Sequence, residues 1–532
     1  MTTRVDFDWR LPYPSRRVPL LAANAVATSQ PLAAQAGLRM MLRGGNAVDA
    51  AVATAIALTV VEPVSNGIGG DAFALVWDGR ELHGLNASGR SPAAWTPERF
   101  AGREAMPERG WDTVTVPGAV SAWRELSRRF GRLPFAELFA PAIEYAQGGF
   151  HVAPDVARQW EMQEDILAGQ PGFAEAFLPG GGAPAAGERF RFPDQARTLE
   201  RIAESGGEVF YRGDLAQRLA AHAREHGGAL TAEDLAAHRA EWVRPLGLGY
   251  AGVTLHELPP NGQGLAALIA LGILSRWDLA GLAPDSAECV HLQLEAMKLA
   301  FADVYRYVAD PAAMEVSVEA LLDDAYLEQR ARRIDPLRAR EFGHGLPPDS
   351  GTVYLAAADA GGMMVSCIQS NYNGFGSGIV VPGTGIALHN RGRAFSLGAA
   401  HPNRVGAAKR PFHTILPGFV TRGGQALMSV GVMGAAMQPQ GHVQMMVRIF
   451  DHNQNPQAAC DAPRWRVMDG LNVWIEPGYP EETLEGLRRR GHRLALAKPP
   501  SLDFGAAQLI YRLDGGYLAA SEPRRDGQAV GY

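Results

Sequence analysis

Asp349-Ser350-Gly351-Thr352-Val353-Tyr354-Leu355-Ala356-Ala357-Ala358-Asp359 is the stretch where a loop gives way to a strand, and the change falls at Thr352. The residues before it, Gly343-His344-Gly345-Leu346-Pro347-Pro348, are punctuated by Gly and Pro and lack apolar periodicity, so they read as an exposed loop. Leu355-Ala356-Ala357-Ala358, the turn Asp359-Ala360-Gly361-Gly362 and Met363-Met364-Val365-Ser366-Cys367-Ile368-Gln369-Ser370 then read as strand, turn and strand. Were the Gly351-Thr352 bond cut, Thr352 would own a free α-amine beside its hydroxyl. An α-amine has a pKa near ~8, so one residue would supply both a nucleophile and the base that activates it. The dipeptide by itself equally suits a strand that happens to open on Gly-Thr, so the weight must come from the rest of the chain.

The bulk properties narrow the field. A chain of 532 residues can hold two or three domains and bury a large core. With 47% hydrophobic and 20% charged residues and a net charge of -6, it has the composition of a globular protein, with no electrostatic case for nucleic acid or an anionic membrane surface. Cys289, Cys367 and Cys460 are far apart and odd in number, which suggests neither a disulfide framework nor a zinc site. Residues 1–10 contain two acids and no apolar core, unlike a secretory signal, and with the reduced thiols this fits a cytoplasmic protein. The apolar run 50–61 is too short for a bilayer, which needs about 20 residues, and reads as a buried helix.

Along the chain, residues 20–27 look like a strand, and Thr28-Ser29-Gln30-Pro31 caps a helix that runs to about Leu42. Gly44-Gly45-Asn46 ends it and a second, Ala-rich helix starts at Ala47, so the two must pack together. Asn66-Gly67-Ile68-Gly69-Gly70-Asp71 resembles a phosphate loop but lacks the Gly-x-Gly-x-x-Gly spacing and leads into a strand; close approach of a second backbone explains the glycines better. Pro259-Pro260-Asn261-Gly262-Gln263-Gly264 is a sharp loop before an apolar helix, and residues 291–306 form another helix with Glu295 and Lys298 at i,i+3. The chain thus reads as helix-rich before Thr352 and strand-rich after it, with a helix from Pro439 to about Phe450.

Seven segments occur in the order found in one family: Gly44-Gly45-Asn46-Ala47-Val48-Asp49-Ala50, Gly67-Ile68-Gly69-Gly70, Val116-Pro117-Gly118, Glu295-Ala296-Met297-Lys298-Leu299-Ala300-Phe301-Ala302-Asp303, Lys409-Arg410-Pro411, Ala462-Pro463-Arg464 and Pro523-Arg524-Arg525-Asp526-Gly527. On them the chain resembles the γ-glutamyltranspeptidase family of N-terminal-nucleophile hydrolases. The resemblance implies an α+β fold, a four-layer αββα sandwich, in a precursor that cuts itself before a threonine. Thr352 occupies that place, so the products would be a large subunit 1–351 and a small subunit 352–532 that remain one intertwined domain. It further implies that Ser370, 18 residues on, is the hydroxyl supporting the nucleophile, although a strand serine satisfied by backbone would look the same. Gly434 and Ala435 match the paired glycines whose amides stabilise the oxyanion, a role that needs the backbone N–H and not the side chain.

The departures bear on substrate. Where the family holds the glutamate α-amine with an acid, the segment here is His389-Asn390-Arg391-Gly392-Arg393-Ala394-Phe395, with Ala394 at the acidic position and Arg391 and Arg393 nearby. A site for an ammonium has become one suited to an anion. The paired serines after Lys409-Arg410-Pro411 are His413 and Thr414, and an expected asparagine is Tyr372. The family's carboxylate-binding arginine falls on Ser88, with Arg90 two residues later as its substitute. For each of Arg90, Arg391 and Arg393 the alternative is a solvated surface or a structural ion pair. The pattern is most similar to family members that split oxamate into oxalate and ammonia in purine breakdown. Alternatives are a γ-glutamyl hydrolase or transferase acting on glutathione, an acylase for larger side chains, and an uncleaved member without chemistry. No cofactor or metal is called for, and the partners expected are a small-molecule amide and the two chains of one precursor, with a homodimer of processed heterodimers as the candidate assembly.

Overall fold

The structure is a computed structural model that describes residues 16–342, 351–498, 501 and 503–532. The N-terminal ten residues read above as no signal, and the loop 343–350 read as preceding the cut, lie outside the described residues.

The strand Gly351–Ala358 shows why the fold is layered, because it is buried on both faces. With side chains alternating along a strand, Val353, Leu355 and Ala357 point to one apolar layer and Tyr354, Ala356 and Ala358 to another. The strand lies inside a seven-stranded antiparallel sheet in the order Gln528–Gly531, Ala25–Thr28, Gly351–Ala358, Met364–Tyr372, Asp71–Trp77, Leu82–Asn86, Glu241–Val243. A second seven-stranded sheet faces it, in the order Leu20–Ala22, Gly516–Ser521, Ala506–Leu513, Gln425–Met433, Gly418–Arg422, Val253–Glu257, Leu246–Tyr250. Phe73, Leu75, Tyr354, Ile368, Phe419 and Ile510 fill the space between them. Outside the first sheet pack the helices Pro31–Leu42 and Ala47–Val61; outside the second pack Leu265–Leu274, Ala287–Tyr307 and Met437–Met446. This is the four-layer αββα sandwich, of α+β class.

Local chemistry sets the helices. The helix Ala47–Val61 buries every one of its residues, which its small side chains permit. Asn46 accepts from the amides of Val48 and Asp49, and Asp49 accepts from the Asn46 amide, a reciprocal cap. Asp359, in the hairpin turn after the Thr352 strand, accepts from the Ala47 amide at 2.8 Å and so ties that hairpin to the helix start.

One expectation needs correction. Residues 20–27 are not one strand but two, Leu20–Ala22 and Ala25–Thr28, in different sheets. The amides of Ala23 and Asn24 both donate to the Tyr532 carbonyl where the chain crosses over. The part before Thr352 carries most of the helices, and each sheet takes strands from both sides of that residue. The glycine reading holds: Gly69 bridges to Leu388, and a Cβ there would overlap the Ala387 carbonyl. Among the described residues no helix is long and apolar enough to cross a membrane.

Candidate active site

Thr352 sits at the end of the space between the sheets, on the face shared by Tyr354 and Ala356. Its neighbouring strand Met364–Tyr372 carries an irregularity at this point: pairing steps from Gly351 with Tyr372 to Val353 with Gln369, so that strand holds one extra residue. Such a bulge re-aims side chains, and here Thr352 Oγ1 lies 3.1 Å from Ser370 Oγ, with both residues buried. Ser370 Oγ also accepts from the Tyr372 amide at 2.8 Å. That turn is possible because Tyr372 takes a φ of 78°, in the left-handed region.

Arg391 joins this pair from the short helix Arg391–Ala394. Its guanidinium is fully buried, donates to Ser370 Oγ at 3.3 Å and to Thr414 Oγ1 at 2.9 Å, and stacks over the Tyr372 ring at 4.1 Å. Burial pushes its pKa down to about 10, which leaves it a cation at neutral pH. No described carboxylate forms a salt bridge with it, and its Nε has no partner. A buried cation is costly without an anion.

From Thr414 the contacts continue. Gln263 donates to the Thr414 carbonyl at 2.7 Å and to the Ala435 carbonyl at 2.8 Å. Gly434 and Ala435 form the turn between the strand Gln425–Met433 and the helix Met437–Met446, with φ of 122° and 50°. Their amides have no acceptor among the described residues, as befits donors kept for a ligand. The strand leading to them is seated by Gly431, where any Cβ would overlap the Tyr354 ring.

The remaining expected residues fall in three places. His413 is buried beside Thr414; burial, with the Arg391 charge behind it, pushes its pKa down to about 3, so the neutral ring donates from Nε2 to Asp71 Oδ2 at 3.1 Å. Arg393 lies at the rim, paired with Glu108 and donating to Asn373 at 3.2 Å. Arg90 is half-exposed and salt-bridged to Asp310 at 3.0 Å and Glu241 at 3.6 Å, and none of its hydrogen bonds reaches the Thr352 group. Sequence reasoning missed Asp71, His389 and Gln263. The only signal was their placement in glycine-rich turns, where buried polar side chains have few routes to satisfaction.

One buried cluster elsewhere has ligand-type groups: His291, Glu295 and His492 bring such atoms within 4.8 Å of one another. It is closed by its own partners, since the Lys298 ammonium pairs with Glu295, the Arg340 amide donates to it at 3.0 Å, and the two imidazoles hydrogen-bond at 2.8 Å.

The family described as Gamma-glutamyltranspeptidase matches residues 33–532. The chain is 39% identical over 511 residues to the glutathione hydrolase-like YwrD proenzyme of Bacillus subtilis, with 94% of this chain and 97% of that one covered. It is 38% identical over 515 residues to the oxamate amidohydrolase proenzyme of Klebsiella pneumoniae, with the same coverage of 94% and 97%. Among solved structures, the cephalosporin acylase from Bacillus halodurans superposes with a TM-score of 0.95 at 49% identity, covering 99% of each chain. Sequence and fold agree: the chain belongs to the γ-glutamyltranspeptidase family, hydrolases and acylases of the N-terminal-nucleophile fold.

Proposed function

We propose that the protein is a self-processing amidohydrolase whose substrate is a small amide bearing a carboxylate, with oxamate the candidate. The Thr352 hydroxyl attacks the Gly351 carbonyl carbon, the amide C–N bond gives way to an ester, and water hydrolyses the ester to free residues 1–351 from 352–532. The new α-amine of Thr352 then takes the proton from its own hydroxyl, and Oγ1 attacks the substrate carbonyl. The amides of Gly434 and Ala435 hold the oxyanion, ammonia leaves with the proton, and water releases the acid, oxalate in the case of oxamate.

The observation that carries the substrate class is Arg391, a buried guanidinium without a carboxylate partner that donates to the hydroxyl touching Thr352. A substrate carboxylate would supply the missing anion, and a guanidinium is suited to hold it at two points. The name of the B. subtilis relative favours a second reading, hydrolysis of glutathione. That substrate needs an acid for its α-amine, and of the carboxylates around this turn Asp71 is taken up by His413 and His389 and Glu108 by Arg393.

Ammonia release from oxamate, measured beside glutamate release from glutathione, decides between them; activity on glutathione alone sinks the carboxylate reading. Arg391→Gln is expected to raise KM for oxamate by roughly tenfold or more, the loss of one charge-assisted anchor.

A further inference from the structure

Asp71 performs none of the steps above, yet the segments of the site meet on it. It opens the strand Asp71–Trp77 and stands directly across from Ser370 in the sheet. Its carboxylate is fully buried. Oδ1 accepts from the amides of Gly118 at 3.0 Å and Gly89 at 3.3 Å, while Oδ2 faces His413 Nε2 at 3.1 Å and His389 Nδ1 at 3.4 Å. Burial alone would raise this carboxyl, but the two imidazoles hold it well below the usual carboxylate range.

Both histidines lead to Arg391. His413 adjoins Thr414, whose hydroxyl accepts from the guanidinium, and His389 precedes Arg391 by two residues in the same turn. His389 is fixed on its far side by the Thr115 carbonyl at 2.8 Å from Nε2, and its amide donates to Gly69 at 3.0 Å. A buried carboxylate keeps its charge only while its oxygens are filled, and here half of the filling comes from the two loops that bracket the guanidinium. The dependence runs both ways, since without Asp71 His413 loses its acceptor and both loops lose the negative charge that their imidazoles face.

We propose that Asp71 is a positioning residue that, through His413 and His389, holds the Arg391 guanidinium on Ser370 and Thr414 and thereby sets how strongly the site binds a carboxylate. This rests on the reading of Arg391 as the carboxylate anchor. Asp71→Asn is the sharp probe. It keeps an oxygen for the Gly89 and Gly118 amides but turns the other acceptor into an N–H donor pointing at the His413 N–H. Its sign is diagnostic: removing the negative charge alone would leave Arg391 less compensated and tighten anion binding, whereas loss of positioning weakens it.

The measurements are KM and kcat for oxamate and the inhibition constant of oxalate on the processed enzyme. In Asp71→Asn, KM and the inhibition constant are expected to rise by about tenfold, with the larger share of the loss in kcat/KM falling in KM. Unchanged or tighter values overturn the proposal. Arg391→Gln, run alongside, separates it from the reading beneath: if that variant binds oxalate as the parent does, both fall, and if it weakens while Asp71→Asn does not, only the positioning role falls. Should Asp71→Asn fail to accumulate, His413→Ala and His413→Gln decide. A weakening in the alanine variant recovered in the glutamine variant, whose amide can still donate to Asp71, supports the role, and no change in either overturns it.

Discussion

Thr352 and Ser370 make contact through hydroxyls alone, so either can donate, and what distinguishes them is that only Thr352 gains an amine if the chain is cut before it. Thr352→Ala is therefore expected to give one band on denaturing electrophoresis where the parent gives two, and no amide hydrolysis. A single band from the parent would overturn self-processing. Ala435 offers a second residue-scale prediction. Its φ of 50° costs a residue with a Cβ about 1 kcal/mol relative to glycine. Ala435→Gly should hold or slightly raise the melting temperature and retain activity, because the proposed mechanism uses the amide and not the methyl; loss of activity in a well-folded variant would argue that the methyl itself contacts substrate.

At the scale of elements, the seat of the oxyanion turn is the contact of Gly431 with Tyr354 across the two sheets. Gly431→Ala should destabilise by about 1–3 kcal/mol through overpacking and lower turnover, since the strand runs directly into Gly434; thermal melts and kcat on the same sample check both. The elements best legible in the sequence were those set by neighbours in the chain: the capped helices at Pro31 and Ala47, and the hairpin around Asp359. The split of residues 20–27 between sheets was not, because its cause is the Tyr532 carbonyl at the other end of the chain. The site divides in the same way. Thr352 and Ser370, 18 residues apart, were singled out by the resemblance to the family, but Asp71 looked like the first residue of an ordinary strand, and its partner His413 lies 342 residues away. Arg90 stood two residues out of register with the family's arginine, and its ionic partners Asp310 and Glu241 are supplied by distant segments that no local pattern reveals.

Across the whole molecule, two of the segments that first suggested the family turn out to share one buried ion network. Glu522 accepts from Arg464 at 2.7 Å, Arg524 at 2.7 Å and the Ala507 amide at 2.6 Å, and Arg464 donates onward to the carbonyls of Phe504 and Gly505. Gly505 packs against Gly434, so the network backs the oxyanion turn from behind. Burial would raise the Glu522 carboxyl, but the two guanidiniums outweigh it and bring its pKa to about 2. The folded value is thus depressed below an unfolded value near ~4.3, so the stabilisation is present above about pH 4.3 and is lost as pH falls toward about 2. Its size is on the order of 3 kcal/mol, and breaking a buried pair by removing one partner costs about 3–5 kcal/mol at neutral pH. Glu522→Gln should therefore unfold at markedly lower denaturant near pH 7, and the gap between variant and parent should shrink steadily as pH is lowered through the acid range. Because other buried carboxyls titrate in both proteins, the difference between the two stability curves, not either curve alone, isolates Glu522. A gap that stays constant with pH would show that the glutamate contributes through packing instead of charge.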